Sequence, residues 1–429
     1  MEFMDECAQR FGDLFTVRFA GLGSVVFLTS PELVKQVFTG DPKVLHAGEA
    51  NQILLPIVGP WSVLVLDEAA HLRQRRLLMP PFHGERMTSY AEQMRDITEA
   101  SVAQWKPGQP FPIYPKMQAI TLDVILRAVF GLAEGAAMQG FAAKLVTLFK
   151  PPPAVMLFMP QLHADVPYSP YRSFFALRRE VYADIQAIVD ERRASPDLAT
   201  RTDILSLLLV ARDEDGRPMT NEEVRDELMT MIAAGHETTA TSLAWMFERI
   251  LAQPEVRALV QAELDAVVGD GRLEPAMLPK LLYLDAVVKE TLRLRPIIPL
   301  VVRRLTEPYT IGGYTLPAGC AVGPCMYLTH LRPELYPEPR RFRPDRWLGE
   351  KKASPYEYFP FGGGMRRCIG MAFALYEMKI ILATVLSRAS LTLPGGAEPM
   401  SRHGIVIVPK DGTLVVMDRA ARAPVSFAA

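Results

Sequence analysis

The chain has 429 residues, 49% of them apolar and 22% charged, the balance of a globular protein with a large core. With 47 Lys and Arg against 48 Asp and Glu, the net charge is −1, which excludes nucleic-acid binding through a global basic field. The four cysteines, Cys7, Cys320, Cys325 and Cys368, are scattered with no CxxC, which excludes a disulfide framework and a zinc site. The opening MEFMDECAQRFGD is charged and unlike a signal peptide, and no apolar run approaches the ~18–20 residues that span a bilayer. A soluble protein of the reducing cytoplasm is the expectation.

Residues 13–30 (DLFTVRFAGLGSVVFLTS) alternate around a glycine turn and predict two strands. From Pro31 to about Arg293 the patterns are mostly helical. Proline clusters at 150–160 and 165–172 interrupt them, with apolar residues continuing through, as in ordered loops between helices. Thr220-Asn221-Glu222-Glu223 is a capping box, and helical periodicity runs from it to about Ala252 without a proline. At ~1.5 Å per residue such a helix crosses a whole domain. Its centre, AAGHETTATS at 233–242, is weak in helix propensity where a core helix should be strongest, and such local disagreement marks a functional site. Strand patterns return over 300–322. A last hairpin is expected over 405–417, turning at Lys410-Asp411-Gly412. The predicted architecture is mainly α with a smaller β portion at about 13–30, 300–327 and 404–418, in a single domain over 1–429 without repeats.

The stretch PFGGGMRRCIGMAFALYEM at 360–378 carries the clearest chemistry. Residues 369–386 are apolar on a helical period, which puts Cys368 at a helix start. Unpaired amides and the helix dipole there, with Arg366 and Arg367, favour a thiolate. Gly362, Gly363 and Gly364 allow backbone to lie against a flat ligand. A phosphate loop is excluded, because no Gly-Lys-Ser/Thr follows and no GxGxxG is completed. On this loop alone a buried structural cysteine remains the alternative.

Four motifs then occur in a fixed order. Ala234-Gly235-His236-Glu237-Thr238-Thr239 matches A-G-x-E-T-T, and Glu290 with Arg293 matches E-x-x-R. Phe342-Arg343-Pro344-Asp345-Arg346-Trp347 is similar to F-x-P-E-R-F, with Asp345 and Trp347 as departures. Phe361, Gly364, Arg366, Cys368 and Gly370 match F-x-x-G-x-R-x-C-x-G. Together they resemble the cytochrome P450 family, heme-thiolate monooxygenases of the soluble bacterial type. The resemblance implies the P450 fold, with heme b held between the long central helix and the helix after the cysteine loop. It implies Cys368 as the thiolate ligand of iron, a ligand that pushes electron density toward the metal and favours O–O cleavage. Ala234, Phe361, Gly362 and Gly370 would lie against the macrocycle. Arg366, His71, Arg75 and Arg303 would meet its propionates, with Arg304 an alternative register for the last. Thr238 would hydrogen-bond bound dioxygen and Glu237 would deliver protons, while Ala234 and Gly235 leave room for the gas. His236, about 200° around the helix from Thr238, is read as facing a neighbouring helix. Glu290, Arg293 and Arg346 would form a buried structural triad.

By family position the substrate pocket would draw on Leu54, Leu55, Ala233, Ile297, Ile298, Val301 and Ile405, and on residues 151–168. These segments are apolar, which suits a medium-sized lipophilic substrate such as a fatty acid, terpenoid or steroid. No flavin or dinucleotide fingerprint and no Fe–S spacing is present, so electrons would come from a separate ferredoxin or flavodoxin with its NAD(P)H reductase. Lys351, Lys352, Arg367 and Lys379 would steer that acidic partner. The expected reaction uses dioxygen and two electrons, since the Glu237–Thr238 pair suits dioxygen. A peroxide-driven oxygenase, an isomerase on the same heme, and a non-catalytic heme- or lipid-binding protein are the alternatives.

Overall fold

The computed structural model describes residues 1–19, 23–82, 86–150, 171–350, 352–403 and 406–418. The capping box closes in both directions. The Thr220 hydroxyl accepts from the Glu223 amide at 3.2 Å, and the Glu223 carboxylate accepts from the Thr220 amide at 2.8 Å. Five helices position the site: α1 (Glu68–Leu78), α2 (Ile113–Phe130), α3 (Asn221–Leu251), α4 (Leu282–Leu294) and α5 (Met371–Arg388). At 31 residues, α3 is about 46 Å long and is the central element. Leu228, Met229, Ile232, Leu243, Met246 and Phe247 on it are fully buried. Each such side chain contributes about 1.5–3 kcal/mol relative to exposure. A further helix, Glu2–Phe11, which the charged opening segment did not announce, precedes the first strand.

Five strands form the main sheet: β1 (Leu14–Phe19), β2 (Gly23–Leu28), β3 (Leu45–His46), β4 (Arg303–Leu305) and β5 (Ala321–Pro324), in the order β1-β2-β5-β4-β3. The β1–β2 pair is antiparallel with Phe15 opposite Phe27, and β2 runs parallel to β5 with Val26 opposite Val322. β4 is antiparallel to β5 and to β3, which buries Arg303 at an inner position of the sheet. Tyr309–Ile311 and Tyr314–Leu316 add a small hairpin.

The expected last hairpin does not form. Val406–Pro409 and Leu414–Met417 are both strands, but the first pairs with Met400–His403 and the second with Pro110–Pro112 and Leu391–Thr392. Glu398 takes the amides of Asp411 and Leu414, each at 3.0 Å, and the Thr413 hydroxyl reaches the Ala244 carbonyl at 3.3 Å. The Ile113 and Tyr114 amides, donating to the Thr413 and Gly412 carbonyls at 3.0 Å each, tie the approach to the second strand to the start of α2. Alternation specifies that a segment is a strand and leaves its partner to tertiary packing. Most of the proline-rich stretch at 150–172, together with Lys351 and Ile405, lies outside the described residues. Among those residues no helix is long and apolar enough to cross a membrane.

Candidate active site

Cys368 lies in the loop before α5, three residues ahead of the helix and two ahead of its cap, Gly370. Its amide donates to the Phe361 carbonyl at 3.0 Å, and the Gly362 amide donates to the Phe359 carbonyl at 2.8 Å, so the loop is closed on itself. Cys368 retains accessible surface, yet protein atoms surround it, as for a side chain on the floor of a cleft. Burial pushes its thiol up, and the Gly370 amide and the charges of Arg75 and Arg367 only partly offset this. The expected thiolate therefore does not follow from helix dipole and arginines alone, and a coordinating metal cation is what would deprotonate the thiol outright.

Two of the three glycines are explained by a protein residue, Phe38, rather than by a flat ligand. A Cβ at Gly363 would stand 2.2 Å from the Phe38 ring, and one at Gly364 would stand 2.2 Å from the Phe38 carbonyl oxygen. Phe38 in turn packs edge-on against Phe359 at 5.3 Å. At Gly362 the nearest atom to a Cβ would be 3.9 Å away, in Val301.

Beside the loop, positive groups converge with little to neutralise them. Arg366 donates to the carbonyls of Val63 (3.1 Å) and Leu66 (2.5 Å) and to the Asp67 carboxylate. Asp67 already accepts from the amides of Ala47, Gly48 and Glu49. Both terminal nitrogens of Arg366 are thus engaged, which the sequence reading did not anticipate. Burial, then the repulsion of Arg366, pushes Arg303 down to about 10. Burial also pushes Arg366 down to about 10, against the attraction of Asp67. His71 falls to about 3, first through burial and then through Arg366, Arg75 and Arg303, so the imidazole is neutral. Arg75 is also pushed down by burial. With Arg303 buried, Arg366 and Arg75 half-buried, and Asp67 the carboxylate that faces Arg303 and Arg366, this edge is short of negative charge. That donor set fits a cofactor carrying two carboxylates at this edge and a metal at Cys368.

On α3, Ala234 is exposed in mid-helix although Ile232 and His236 on either side are buried, so it faces open space inside the fold. The Thr238 hydroxyl, one turn on, donates to the Ala234 carbonyl at 2.6 Å, a competing bond that weakens a helix locally. Gly235 does not face that space. A Cβ there would meet Ile125 of α2 at 2.5 Å, so this glycine lets two helices approach. His236 also faces α2, with Nδ1 3.0 Å from the Thr121 hydroxyl, and burial keeps it neutral. The Glu237 carboxylate accepts from the Tyr114 hydroxyl and, at 2.9 Å, from Gln118 Nε2. Sequence reasoning missed both partners, since nothing in the chain links them to residue 237.

Glu290 is fully buried, and its two oxygens accept five N–H groups. These come from Arg293 (two, each at 2.8 Å), Arg346 (3.0 Å), the Trp347 indole (2.9 Å) and the Arg343 amide (2.9 Å). Trp347, a departure from the motif by sequence, is thus a direct ligand of the carboxylate. Arg293 also holds the carbonyls of His330 and Pro339, each at 2.7 Å. Trp347 packs on Tyr358 at 4.5 Å, and the Tyr358 hydroxyl donates to the Lys289 carbonyl of α4. The network therefore anchors the segment that runs into Phe361 and Cys368.

Leu54, Leu55, Ala233, Ile298 and Val301 are half-buried, and Ile297 is buried. The short helix Leu55–Val58 packs on α3, and the Ile297 carbonyl accepts from the Ile407 amide at 3.1 Å. Of the cations expected to steer a partner, Arg367 and Lys352 are exposed, whereas Lys379 is paired with Asp285 at 3.1 Å.

The family model for Cytochrome P450 matches residues 1–416. A Mycobacterium tuberculosis protein provisionally named cytochrome P450 135B1 is 41% identical over 421 residues, which cover 97% of this chain and 86% of the relative. Another from that organism, provisionally named cytochrome P450 138, is 37% identical over 96% of this chain and 90% of the relative. Among solved structures, retinoic-acid-bound cyanobacterial CYP120A1 superimposes with a TM-score of 0.84 at 26% identity, covering 97% of this chain and 94% of that one. The heme domain of cytochrome P450DA gives 0.85 at 26% identity, with 97% and 92% covered. The chain is a member of the cytochrome P450 family, a heme-thiolate monooxygenase.

Proposed function

We propose that the chain inserts one oxygen atom from dioxygen into a medium-sized lipophilic molecule such as a fatty acid, terpenoid or steroid. Electrons come from a ferredoxin or flavodoxin with its NAD(P)H reductase. Cys368 would hold the iron, and His71, Arg75, Arg303 and Arg366 would meet the propionates. Ala234, Phe361, Gly362 and Gly370 would line the ring. When bound, the heme supplies the reductive activation of dioxygen. The chain's own residues do the rest. The Thr238 oxygen keeps acceptor capacity beside the open space at Ala234, and Glu237 next to it supplies protons to that point. Glu290, Arg293 and Arg346 keep the cysteine loop in place. Apolar walls from Leu54, Leu55, Ala233, Ile297, Ile298 and Val301, with Ile405 and residues 151–168, exclude water and bind the substrate. Exposed Arg367 and Lys352 guide the electron donor. The free cysteines Cys7, Cys320 and Cys325 agree with a reducing cytoplasmic setting.

The observation that carries this reading is the self-closed loop that holds Cys368 near half-buried Arg75, with buried Arg303 and half-buried Arg366 sharing one carboxylate, Asp67, alongside. The lipophilic substrate class draws support from CYP120A1, whose structure contains retinoic acid, a terpenoid acid. Carbon monoxide added to the reduced protein is expected to give the red-shifted Soret band of thiolate-ligated heme, and its absence refutes the ligand assignment. Lipophilic compounds titrated into the ferric protein should shift its spin state. A panel of fatty acids, terpenoids and steroids that leaves the spectrum unchanged counts against the substrate class.

A further inference from the structure

Glu237 and Thr238 are adjacent on α3, about 100° apart around the helix. The Glu237 carboxylate turns toward α2, where two side chains hold it. One oxygen accepts from the Tyr114 hydroxyl, and the other accepts from Gln118 Nε2 at 2.9 Å. Tyr114 and Gln118 stand at i and i+4 in the first turns of α2 and so share one face.

The two tethers differ in character. Tyr114 is buried, and its own position is set by the turn after Val406–Pro409, because its amide donates to the Gly412 carbonyl at 3.0 Å. Burial, then the Glu237 charge, holds its phenol well above the ordinary tyrosine range, so it donates at every working pH. Gln118 is half-exposed, so this side of the carboxylate reaches accessible surface. A hydrogen bond to an ionised acceptor inside the protein is about twice as strong as a neutral one. Two such bonds from one rigid helix leave the carboxylate a single orientation.

We propose that Tyr114, assisted by Gln118, is a positioning residue for proton delivery: it fixes the Glu237 carboxylate in one rotamer beside Thr238 and keeps it in line with solvent at Gln118. The proposal rests on the proton-supplying role of Glu237. Tyr114 acts through Glu237.

The test uses heme-loaded protein and four chains: wild type, Tyr114→Phe, Glu237→Ala and the double variant. The first readout needs no turnover. In the ferric protein Tyr114→Phe is expected to lower the thermal midpoint by about 2–3 °C in the wild-type background and not at all in Glu237→Ala. Additive midpoints overturn the contact. The second readout is oxygen stoichiometry with NAD(P)H and a surrogate reductase, without added substrate. Dioxygen with two electrons and two protons leaves as hydrogen peroxide, and with four electrons and four protons as two waters. Peroxide per dioxygen consumed is expected to rise several-fold in Tyr114→Phe, to match Glu237→Ala, and to rise no further in the double variant. A rise in Glu237→Ala with wild-type peroxide in Tyr114→Phe overturns the positioning role. Wild-type peroxide in Glu237→Ala itself shows instead that the acid role of Glu237 has failed, while the midpoints still report the tether. Should Tyr114→Phe not retain heme, Gln118→Met at the half-exposed end is expected to give a smaller rise of the same sign, and no rise there overturns the proposal.

Discussion

Arg293→Ala is expected to release the cysteine loop rather than merely weaken a surface pair. Glu290 and Arg293 both have fully buried side chains, and Arg293 supplies two of the five N–H groups on the Glu290 carboxylate. The substitution also strips the donors from the buried carbonyl of His330 and the half-buried carbonyl of Pro339. Breaking a buried pair and leaving its partner charged costs about 3–5 kcal/mol. An exposed i,i+3 pair is worth only ~0.2–0.5 kcal/mol. At ~1.36 kcal/mol per tenfold change, the unfolded fraction rises by roughly two to nearly four decades, against a typical total stability of ~5–15 kcal/mol. Urea unfolding followed by far-UV circular dichroism measures the loss, and the ratio of Soret to protein absorbance measures heme retention. The expected variant has a lower midpoint and little heme. Arg293→Lys, which restores the charge without the forked geometry, should fall between. An Arg293→Ala protein with wild-type midpoint and heme content would refute the reasoning.

Gly235→Ala separates helix propensity from packing. Propensity alone would stabilise by ~1 kcal/mol, whereas the 2.5 Å approach to Ile125 predicts a loss of about 1–3 kcal/mol. Ile125→Val removes the offending Cδ1 and should recover most of the thermal midpoint. Thr238→Ala is expected to load heme and bind oxygen normally while product per NAD(P)H falls and peroxide rises. A tightly coupled variant would show that the hydroxyl plays no part in proton delivery. His330 is fully buried, accepts from the Phe359 amide through Nε2, and is pushed down to about 3 by burial and then by Arg293. Because the unfolded state binds that proton more readily, stability should fall as pH drops from about 6.5 toward about 3. His330→Gln should flatten the pH dependence of the urea midpoint by about one proton, and an unchanged slope would rule out His330 as its source.

Much of the framework was legible along the chain because it depends on local order. The capping box, the period of α3 and the loop-to-helix transition at Cys368 are set by residues within a few positions of one another. The Glu290–Arg293 pair is local in the same sense, sitting one turn apart on α4. The last hairpin shows where such reading ends. The alternation in Val406–Pro409 and Leu414–Met417 is a property of each segment, but their partners were chosen by Glu398, Thr413 and the edge at Pro110–Pro112.

The same division runs through the site. Motif spacing by itself determined the family and the buried pair on α4, and it singled out Cys368, Glu237 and Thr238 as the residues proposed for the chemistry, because each is carried by short, ordered patterns. Tertiary structure alone decided what surrounds them. It seated Phe38 against Gly363 and Gly364, and Ile125 against Gly235. It tied Arg366 to Asp67, brought the Trp347 indole to Glu290 and closed Tyr114 and Gln118 on Glu237. Those partners are separated by 57 to more than 300 positions, and their distances follow from how whole helices and strands pack, which no local pattern encodes.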